Sequence, residues 1–406
     1  MTGTGDGDGR ARYGARAMTT TAIVYTDAPD AHGAAHDLCV QINKGLNDET
    51  ADVIVLFASV RYDHAVLLRA LNETCKPKIL VGASSAGEIT NRTQGAGLAC
   101  ALAIRSDEME FAVGVGRGLA GDRAAAARQM VAEFRGLSVH NFPYRSALIM
   151  TDALAGHADD LVEQLTIATS GKYQFFGGGA GDDAQFKRTQ VFFGVEPLSD
   201  AAVALEILSK KPLGIGVGHG WKPAGERMRV TAAEGAKLVS LDGMPAADAF
   251  EDHARATGQA FDRRAPIGYF LHNVIGIDTE SGYRLRVPLA VLEDGSVMCA
   301  SEIPVGAAVA IMRTTQESSV EAASRATKAA LGALGEHKPQ AALFFDCVAT
   351  RLRMGDEFGL EVDALKQLLG PAAGLVGCNT HGQIARAAGQ FGGFHNCTAV
   401  VCIIPE

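Results

Sequence analysis

Short apolar runs alternate with amphipathic stretches along most of the chain, and this alternation occurs three times. In the first copy, the apolar run DVIVLFAS (52–59) precedes DHAVLLRALN (63–72), whose apolar residues recur at helical spacing. Asp63 is the expected N-cap of that helix. A short run then enters a Gly-rich turn, LVGASSAGEI (80–89), and GLACALAI (97–104) follows. The pattern predicts a strand, a helix, a strand that ends in the turn, and a further strand.

The last part of the chain follows the same order closely, and the middle follows it loosely. The last copy comprises QAALFFDC (340–347), LEVDALKQLL (360–369), LVGCNTHGQI (375–384) and CTAVVCII (397–404). The middle copy comprises SALIMTDAL (146–154), ADDLVEQLTIA (158–168), FFGGGAGDD (175–183) and DAAVALEIL (200–208). A further helix is predicted before each copy, over 35–46, 122–134 and 318–331. Strands this apolar must be covered on both faces, so we predict an α/β protein of repeated βαββ units that form packed sheets flanked by helices.

Two helix starts carry local signals. Ser318 and Glu321 have the spacing of a capping box, which predicts that the third of these helices opens there. LVSLDGMPAADAF (238–250) predicts a strand, a turn and then a helix that begins at Pro245.

Residues 224–313 interrupt the repeats, because alternating strand patterns and turn signals replace the earlier order. RLRVPLAVLEDG (284–295) alternates as one half-exposed strand does, and Asp294-Gly295 fits a hairpin turn. We therefore predict a β-rich insertion before the last repeat.

The domain organisation follows from these patterns. Residues 1–17 are rich in glycine and lack an apolar run, so they are predicted to be a disordered extension, with Met18 as the functional start. The segment SKKPLG, near residue 212, is the predicted boundary between two domains, 18–212 and 213–406.

Composition narrows the class of protein. A hydrophobic content of 47% allows a sizeable core, and a net charge of −9 without a basic block argues against a nucleic-acid partner. No apolar run approaches the roughly 18 residues of a membrane span, and the N-terminus has no secretory apolar segment. The eight cysteines lie mostly in apolar runs, as reduced core thiols do, so we predict a cytoplasmic protein.

Several motifs, in order along the chain, resemble those of the FIST family. VGASSAGEI and FGGGAGDD are similar to its N-terminal part, and LVSLDGMPAADAF, LRVPLAVLEDGSV, VGCNTHGQI and FHNCTAV to its C-terminal part. The resemblance spans residues 20–406 and implies a non-enzymatic sensory module. Such a module binds a small molecule, for which amino acids have been proposed, and passes its state to a separate signalling protein such as a histidine kinase. Some stand-alone members bind haem and sense nitric oxide, so haem b is a second implication.

The Gly-rich turns are the candidate ligand site. Glycine permits positive φ and lets backbone N–H groups approach an anion, while the carboxylates and amides of the turns suit the two charges of an amino acid. The predicted ligand-binding residues are Gly82, Ser84, Ser85, Gly87, Glu88, Gly178, Gly179, Asp182, Asp183, Asn379, Thr380, His381, Gly382, His395 and Asn396. The competing interpretation is that the glycines only allow the repeated strands to pack closely.

Catalytic chemistry at Ser85 and metal binding are two alternatives to ligand binding. The segment ASSAG (83–87) approximates a nucleophile elbow with Ser85 as nucleophile, but an elbow needs a helix after it, and here a strand is predicted. A serine hydrolase is therefore the weaker alternative. Cys378, His381, His395 and Cys397 are zinc-ligand types, yet their spacing matches no structural zinc motif. We expect Cys378 to be a buried thiol.

A haem site would need an axial side chain beside an apolar slot. The chain has no CxxCH motif, so any haem would be held non-covalently. The candidate axial ligands are His219, His272, His381 and His395, and the sequence does not choose among them.

Overall fold

The computed structural model describes residues 19–280, 282–387 and 393–406, and these form an α/β protein, as predicted. The predicted extension (1–17) and start at Met18 lie outside the described residues. The described α-helices are α1 (Ala31–Gly45), α2 (His64–Cys75), α3 (Arg123–Ala132), α4 (Ala158–Ala168), α5 (Ala246–Thr257), α6 (Ile267–Phe270), α7 (Gln316–Ala333), α8 (Val348–Met354) and α9 (Gly359–Leu369). No helix among these is long and apolar enough to cross a membrane.

Three sheets share one plan, in which a central parallel pair is flanked by antiparallel strands. The first sheet has the order β1 (Thr19–Thr26), β6 (Ala99–Ser106), β2 (Val53–Ser59), β3 (Ile79–Ser85), β10 (Val191–Phe193) and β11 (Glu196–Leu198). The second has the order β7 (Met109–Arg117), β12 (Ala201–Ser209), β8 (Tyr144–Thr151), β9 (Gln174–Gly179), β24 (Gln383–Arg386) and β25 (Gly393–His395). The third has the order β13 (Gly214–Gly218), β26 (Ala399–Pro405), β22 (Pro339–Cys347), β23 (Gly374–Thr380), β4 (Glu88–Thr90) and β5 (Gln94–Gly95).

A fourth, antiparallel sheet is formed by the β-rich segment. Its order is β18 (Gly282–Arg286), β17 (Val274–Thr279), β21 (Ala308–Arg313), β14 (Lys222–Glu234), β15 (Lys237–Leu241), β20 (Val297–Cys299) and β19 (Pro288–Val291), with β16 (Met244–Pro245) paired to β15. The fully buried Arg286 joins this sheet to the second, because its guanidinium contacts Asp159 of α4 and donates a 3.4 Å hydrogen bond to the carbonyl of Phe394.

Each Gly-rich turn leads into a short hairpin that joins a neighbouring sheet. The hairpin of β4 and β5 extends the third sheet, that of β10 and β11 extends the first, and that of β24 and β25 extends the second. Each hairpin buries one large apolar side chain beneath the neighbour's helices: Ile89, Phe192 and Ile384, all fully buried. Burial of a side chain of this size contributes roughly 2 kcal/mol, so the exchange ties the three sheets to one another.

The inner faces of the three sheets share one apolar core. Phe57, Met150 and Phe345 occupy corresponding positions of β2, β8 and β22, and all three are buried. The rings of Phe57 and Phe345 meet edge to face with centroids 5.6 Å apart. Side chains therefore fill the space between the sheets.

Three local predictions are wrong, each for a physical reason. Helix α7 begins earlier than expected, because Thr315 is its N-cap and forms the capping box with Ser318, so Glu321 has no part in it. Pro245 is the N-cap of α5, which begins one residue later. The run 284–295 is two strands, β18 and β19, that lie at opposite ends of the fourth sheet.

The β-rich insertion precedes α7 and the last copy, as predicted. Strand β13 also belongs to that repeat because it pairs with β26 in the third sheet, so residues 222–313 lie between β13 and α7. The domain boundary at residue 212 stays a prediction.

Candidate functional site

The three Gly-rich turns meet at the carboxyl ends of the parallel strand pairs. Each turn is joined to the next by the same two backbone hydrogen bonds. The third and first turns are joined by Asn379 N to Gly87 O (2.8 Å) and Ala86 N to Asn379 O (2.9 Å). The second and third are joined by Gly179 N to Gly382 O (2.8 Å) and His381 N to Gly179 O (3.0 Å). The first and second are joined by Ser84 N to Gln190 O and Gly181 N to Ser84 O, both 2.8 Å. The result is a closed ring, here called the turn ring.

The turn ring is not the rim of an axial cavity, since apolar side chains fill the space beneath it. Most of its polar side chains are also buried; Ser84, Ser85, Glu88 and Thr380 are fully so. Any ligand site must therefore lie on the flank of the ring, where half-buried side chains reach it from outside.

One flank holds a group of four side chains that we call the polar cluster: Glu88, Asp183, Arg351 and Asn379. A Cβ at Gly87 would lie 2.6 Å from Oδ1 of Asn379 and 3.2 Å from Nε of Arg351, so both groups close over this glycine. Asp183 Oδ2 accepts a 3.0 Å hydrogen bond from Ser59. Three atoms in the cluster are buried without a hydrogen-bond partner among the described residues: Asp183 Oδ1, Asn379 Nδ2 and Arg351 Nε.

Glu88 is the innermost member of the polar cluster. It accepts hydrogen bonds from the hydroxyl of Ser85 and from the N–H of Leu98, the latter at 2.8 Å. Burial raises its pKa to about 8; these hydrogen bonds and Arg351 act in the opposite direction, whereas the charge of Asp183 raises it further. Glu88 is therefore mainly protonated at neutral pH, and the formal charges of the cluster are those of Asp183 and Arg351.

A cavity of about 120 Å³, the side pocket, is lined by Ala184, Leu352 and His381, which are close in the chain to Asp183, Arg351 and Asn379 of the polar cluster. Its walls are apolar and come from the loop 182–190, from α8 and from the insertion. His381 lines it, stacked on Phe186 with ring centroids 4.6 Å apart. Burial lowers the pKa of His381 to about 4, against the charges of Asp182 and Asp152, so the imidazole is neutral.

The remaining predicted residues have structural surroundings. Asp182 accepts hydrogen bonds from the N–H groups of Phe186, Lys187 and Arg188, which shape the loop. A Cβ at Gly82 would lie 1.8 Å from the carbonyl oxygen of Leu56, deep in the sheet, and one at Gly178 2.7 Å from that of Gly382. Asn396 reaches the side pocket, whereas His395 is fully buried opposite Gln383.

The four candidate axial histidines differ in what their rings can reach. His219 is held at both nitrogens, by the Tyr283 carbonyl (2.9 Å) and the Trp221 N–H (3.2 Å). His272 is exposed. His395 is fully buried, and burial together with the charges of Arg284 and Arg286 holds its pKa well below the usual value. Only the ring of His381 lines an apolar cavity among those described, and its 120 Å³ lies below the roughly 300 Å³ at which cofactor pockets begin. The residues present do not fit a haem.

The geometry of Ser85 does not favour nucleophilic catalysis. Its hydroxyl is fully buried and bonded to Glu88, and strand β4, not a helix, follows the turn. Cys378 is fully buried in the central core, and burial raises its pKa well above the usual value. Among the described residues, no three His, Cys, Asp or Glu side chains are arranged to hold a metal ion.

Sequence reasoning missed two members of this site, Arg351 and Ser59. Arg351 lies on α8, just after the apolar strand β22, and Ser59 ends the corresponding strand β2. A usable signal was present, because residues that follow the parallel strands gather at the same end of the sheets as the turns.

The fold and the polar flank together define an α/β protein of three connected sheets with a candidate binding site beside the turn ring. Comparison with family models gives the particular family: the FIST N domain matches residues 52–244 and the FIST C domain matches residues 223–386. The chain therefore belongs to the FIST family of sensory signal-transduction domains.

Other comparisons are distant. No curated protein matches the chain. Among solved structures, cyanuric acid hydrolase from A. caulinodans is 8% identical, covering 96% of this chain and 100% of its own, with a TM-score of 0.37. PurLQS from Thermotoga maritima is 10% identical, covering 95% of this chain and 72% of its own, with a TM-score of 0.23. Neither likeness carries functional information.

Proposed function

We propose that this FIST protein senses a small zwitterion, such as an amino acid, at the polar cluster. The observation that carries the proposal is the set of unpaired buried atoms of opposite character beside the first turn: Arg351 Nε and Asn379 Nδ2, whose side chains close over Gly87, and Oδ1 of Asp183, whose N–H bonds to the Ser85 carbonyl. Buried polar atoms without partners cost about 1–3 kcal/mol each, so a ligand that supplies the partners is stabilised by them.

The two ends of an amino acid match the two sides of the cluster. Its ammonium would donate hydrogen bonds to Asp183, and its carboxylate would accept them from Arg351 and Asn379. Glu88, kept protonated by burial, adds no second negative charge that would repel the carboxylate. A simple anion or cation would satisfy only half of these atoms.

Ligand state would reach a separate signalling protein, such as a histidine kinase, through the surface beside the cluster. Asp183 and Arg351 lie on the loop 182–190 and on α8, and the same elements expose Phe186 and Leu352, which are 44% and 49% accessible. If Asp183 and Arg351 move towards a bound ligand, the side chains of Phe186 and Leu352 would shift with them. A partner that contacts them would then distinguish the bound state from the free state.

Thermal denaturation of the purified chain with a panel of amino acids tests the proposal. A ligand at one hundred times its dissociation constant stabilises the native state by about 2.7 kcal/mol, which raises Tm measurably. Asp183→Asn and Arg351→Gln should each weaken binding at least about tenfold, since each removes one charge-assisted hydrogen bond.

Two variants serve as matched controls. Asp356→Asn and Arg128→Gln change exposed residues of the same types that are not members of the cluster, and both should bind as the unmodified chain does. The proposal is wrong if no zwitterion shifts Tm, or if the control variants lose as much affinity as the cluster variants.

The haem-based nitric-oxide sensor is the finer form of the sensory function that the family resemblance implies. An absorption spectrum of the purified chain, before and after addition of haem, tests it separately. Because the side pocket is too small in the described conformation, we expect no intense haem band after haem is added; a band that His381→Ala abolishes would contradict this.

A further inference from the structure

The side pocket shares three structural elements with the polar cluster. Residues 183–184 of the loop, 351–352 of α8 and 379–381 of the third turn each supply one member of the cluster and one wall of the pocket. Consecutive Cα atoms are about 3.8 Å apart, so the two sites are within reach of one small molecule. The part of a ligand that projects away from its charged groups would enter this pocket.

The pocket accepts an uncharged group. Ala349, Val348 and Leu289 are among its walls, none of the described residues that line it is an acid, a lysine or an arginine, and burial keeps the imidazole of His381 neutral at physiological pH. A charged side chain placed here would lose its hydration without gaining a partner, which is costly in an apolar site. Side chains such as those of glutamate and lysine are thereby excluded.

The volume of the pocket limits the size of that group. An engineered protein cavity of about 150 Å³ holds benzene, so the 120 Å³ available here suits a group slightly smaller than a phenyl ring. Branched or linear chains of three or four heavy atoms have that size. Glycine and alanine would leave the pocket largely empty and lose the favourable transfer of apolar surface from water.

We infer that the ligand of this sensor is an amino acid with an uncharged aliphatic side chain of the size of leucine or methionine. Its ammonium and carboxylate lie at the polar cluster, and its side chain fills the side pocket. The inference rests on the proposed function, because it assigns the charged end of the ligand to the cluster described there.

Calorimetric titration of the full chain with leucine, methionine, alanine, glycine and glutamate tests the ligand class. Each buried methylene is worth roughly a tenfold or larger change in affinity, so leucine should bind at least about a hundredfold more tightly than alanine. Glutamate should bind no better than glycine. If glycine, alanine or glutamate binds as tightly as leucine, the inference is overturned while the proposed function stands. If none of the five binds, both fall.

A pair of variants tests whether the side pocket itself sets the preference. Leu352→Ala removes a wall and should weaken leucine binding about tenfold while it leaves glycine binding unchanged. Leu360→Ala is the matched control, because Leu360 of α9 is similarly exposed (46% against 49%) and does not line the pocket.

A third variant fills the pocket instead of opening it. Ala349→Leu should abolish the preference for leucine over alanine without loss of alanine binding. If this variant does not fold, Leu352→Ala alone tests whether the side pocket sets the preference. Equal effects of Leu352→Ala and Leu360→Ala would contradict the inference.

Discussion

The first and third turns are joined to their neighbours by the same backbone hydrogen bonds and differ in the polar group that follows the last glycine, Glu88 in the first and Gln383 in the third. In the first, Glu88 accepts hydrogen bonds from the Ser85 hydroxyl and the Leu98 N–H. In the third, Gln383 donates a 2.9 Å hydrogen bond to the hydroxyl of Thr380 and accepts one of 3.3 Å from the N–H of Thr398. A carboxyl group and an amide thus occupy equivalent, fully buried positions.

The comparison shows what the hydroxyls and acids of the turns do. Because Thr380 repeats the position of Ser85 and bonds to an amide, the hydroxyl serves to close the corner of the turn and needs no nucleophilic role. The amide fulfils the same structural role as the carboxyl, so Glu88 is not required for the fold. What the first turn has in addition is a group that titrates beside Asp183 and Arg351.

The largest effect is expected from the glycines that precede the turns. A Cβ at Gly82, Gly177 or Gly377 would lie 1.8, 2.1 or 1.9 Å from a backbone carbonyl oxygen of the adjacent strand. Gly82→Ala should lower the free energy of unfolding by about 5 kcal/mol, or prevent folding, because neither backbone can move away without strain. Urea denaturation measures this change.

Gly332→Ala is the control for the glycine variants. Gly332 lies in α7 with nothing within 4 Å of a Cβ, so alanine there should be neutral or stabilise by up to about 1 kcal/mol. If Gly82→Ala and Gly177→Ala are as mild as Gly332→Ala, the close approach of the strands is not what these glycines provide.

The next effect comes from exchanging the acid and the amide. Since the pKa of Glu88 is raised to about 8 from an ordinary value of 4.5, its contribution to stability is complete below pH 4.5 and is lost as pH rises through 8. The loss amounts to about 1.4 kcal/mol per pH unit, or roughly 4–5 kcal/mol in all. Glu88→Gln can adopt the arrangement seen at Gln383, so it should remove this loss.

The reverse exchange is the matched control. Gln383→Glu should add a similar fall in stability with rising pH, because the new carboxyl would be equally buried. Burial also raises the pKa of Asp346 and Glu361, so the quantity to compare is the difference between each variant and the unmodified chain from pH 5 to 9. Parallel pH profiles for Glu88→Gln and the unmodified chain would contradict the assignment.

Much of the fold could be predicted because its signals are local. The helical spacing in ADDLVEQLTIA predicted both ends of α4 correctly. Asp63 caps α2 as expected, because it accepts a 3.1 Å hydrogen bond from the Val66 N–H. The destinations of the short hairpins could not be predicted. A strand of two to four residues offers the same backbone groups to any sheet edge, so its neighbour depends on packing between distant segments.

The candidate site was predicted in part, and the errors have one cause. The motif FGGGAGDD aligns Asp183 with Glu88 and Gln383, yet Val191 takes that place in the ladder, because residues 183–190 form an added loop. That loop leaves Asp183 half-buried near Glu88, where the charge of Arg351 also acts, and motif comparison had no reason to select Arg351. The chemistry on the flank therefore arises where the repeats differ, whereas their shared glycines shape the ring.

The smallest expected effect distinguishes the two corner hydroxyls. Ser85→Ala and Thr380→Val each leave a buried partner unsatisfied, at a cost of about 1–2 kcal/mol in the free energy of unfolding. The cost of Ser85→Ala should increase above pH 8, where Glu88 ionises and a charged acceptor loses its donor, while that of Thr380→Val should not change with pH. Denaturation at pH 6 and pH 9 measures both. If the two costs follow the same pH profile, the two corners are not chemically distinct. Ligand binding is a separate measurement: if Ser85→Ala still binds the ligand, the Ser85 hydroxyl is a structural donor.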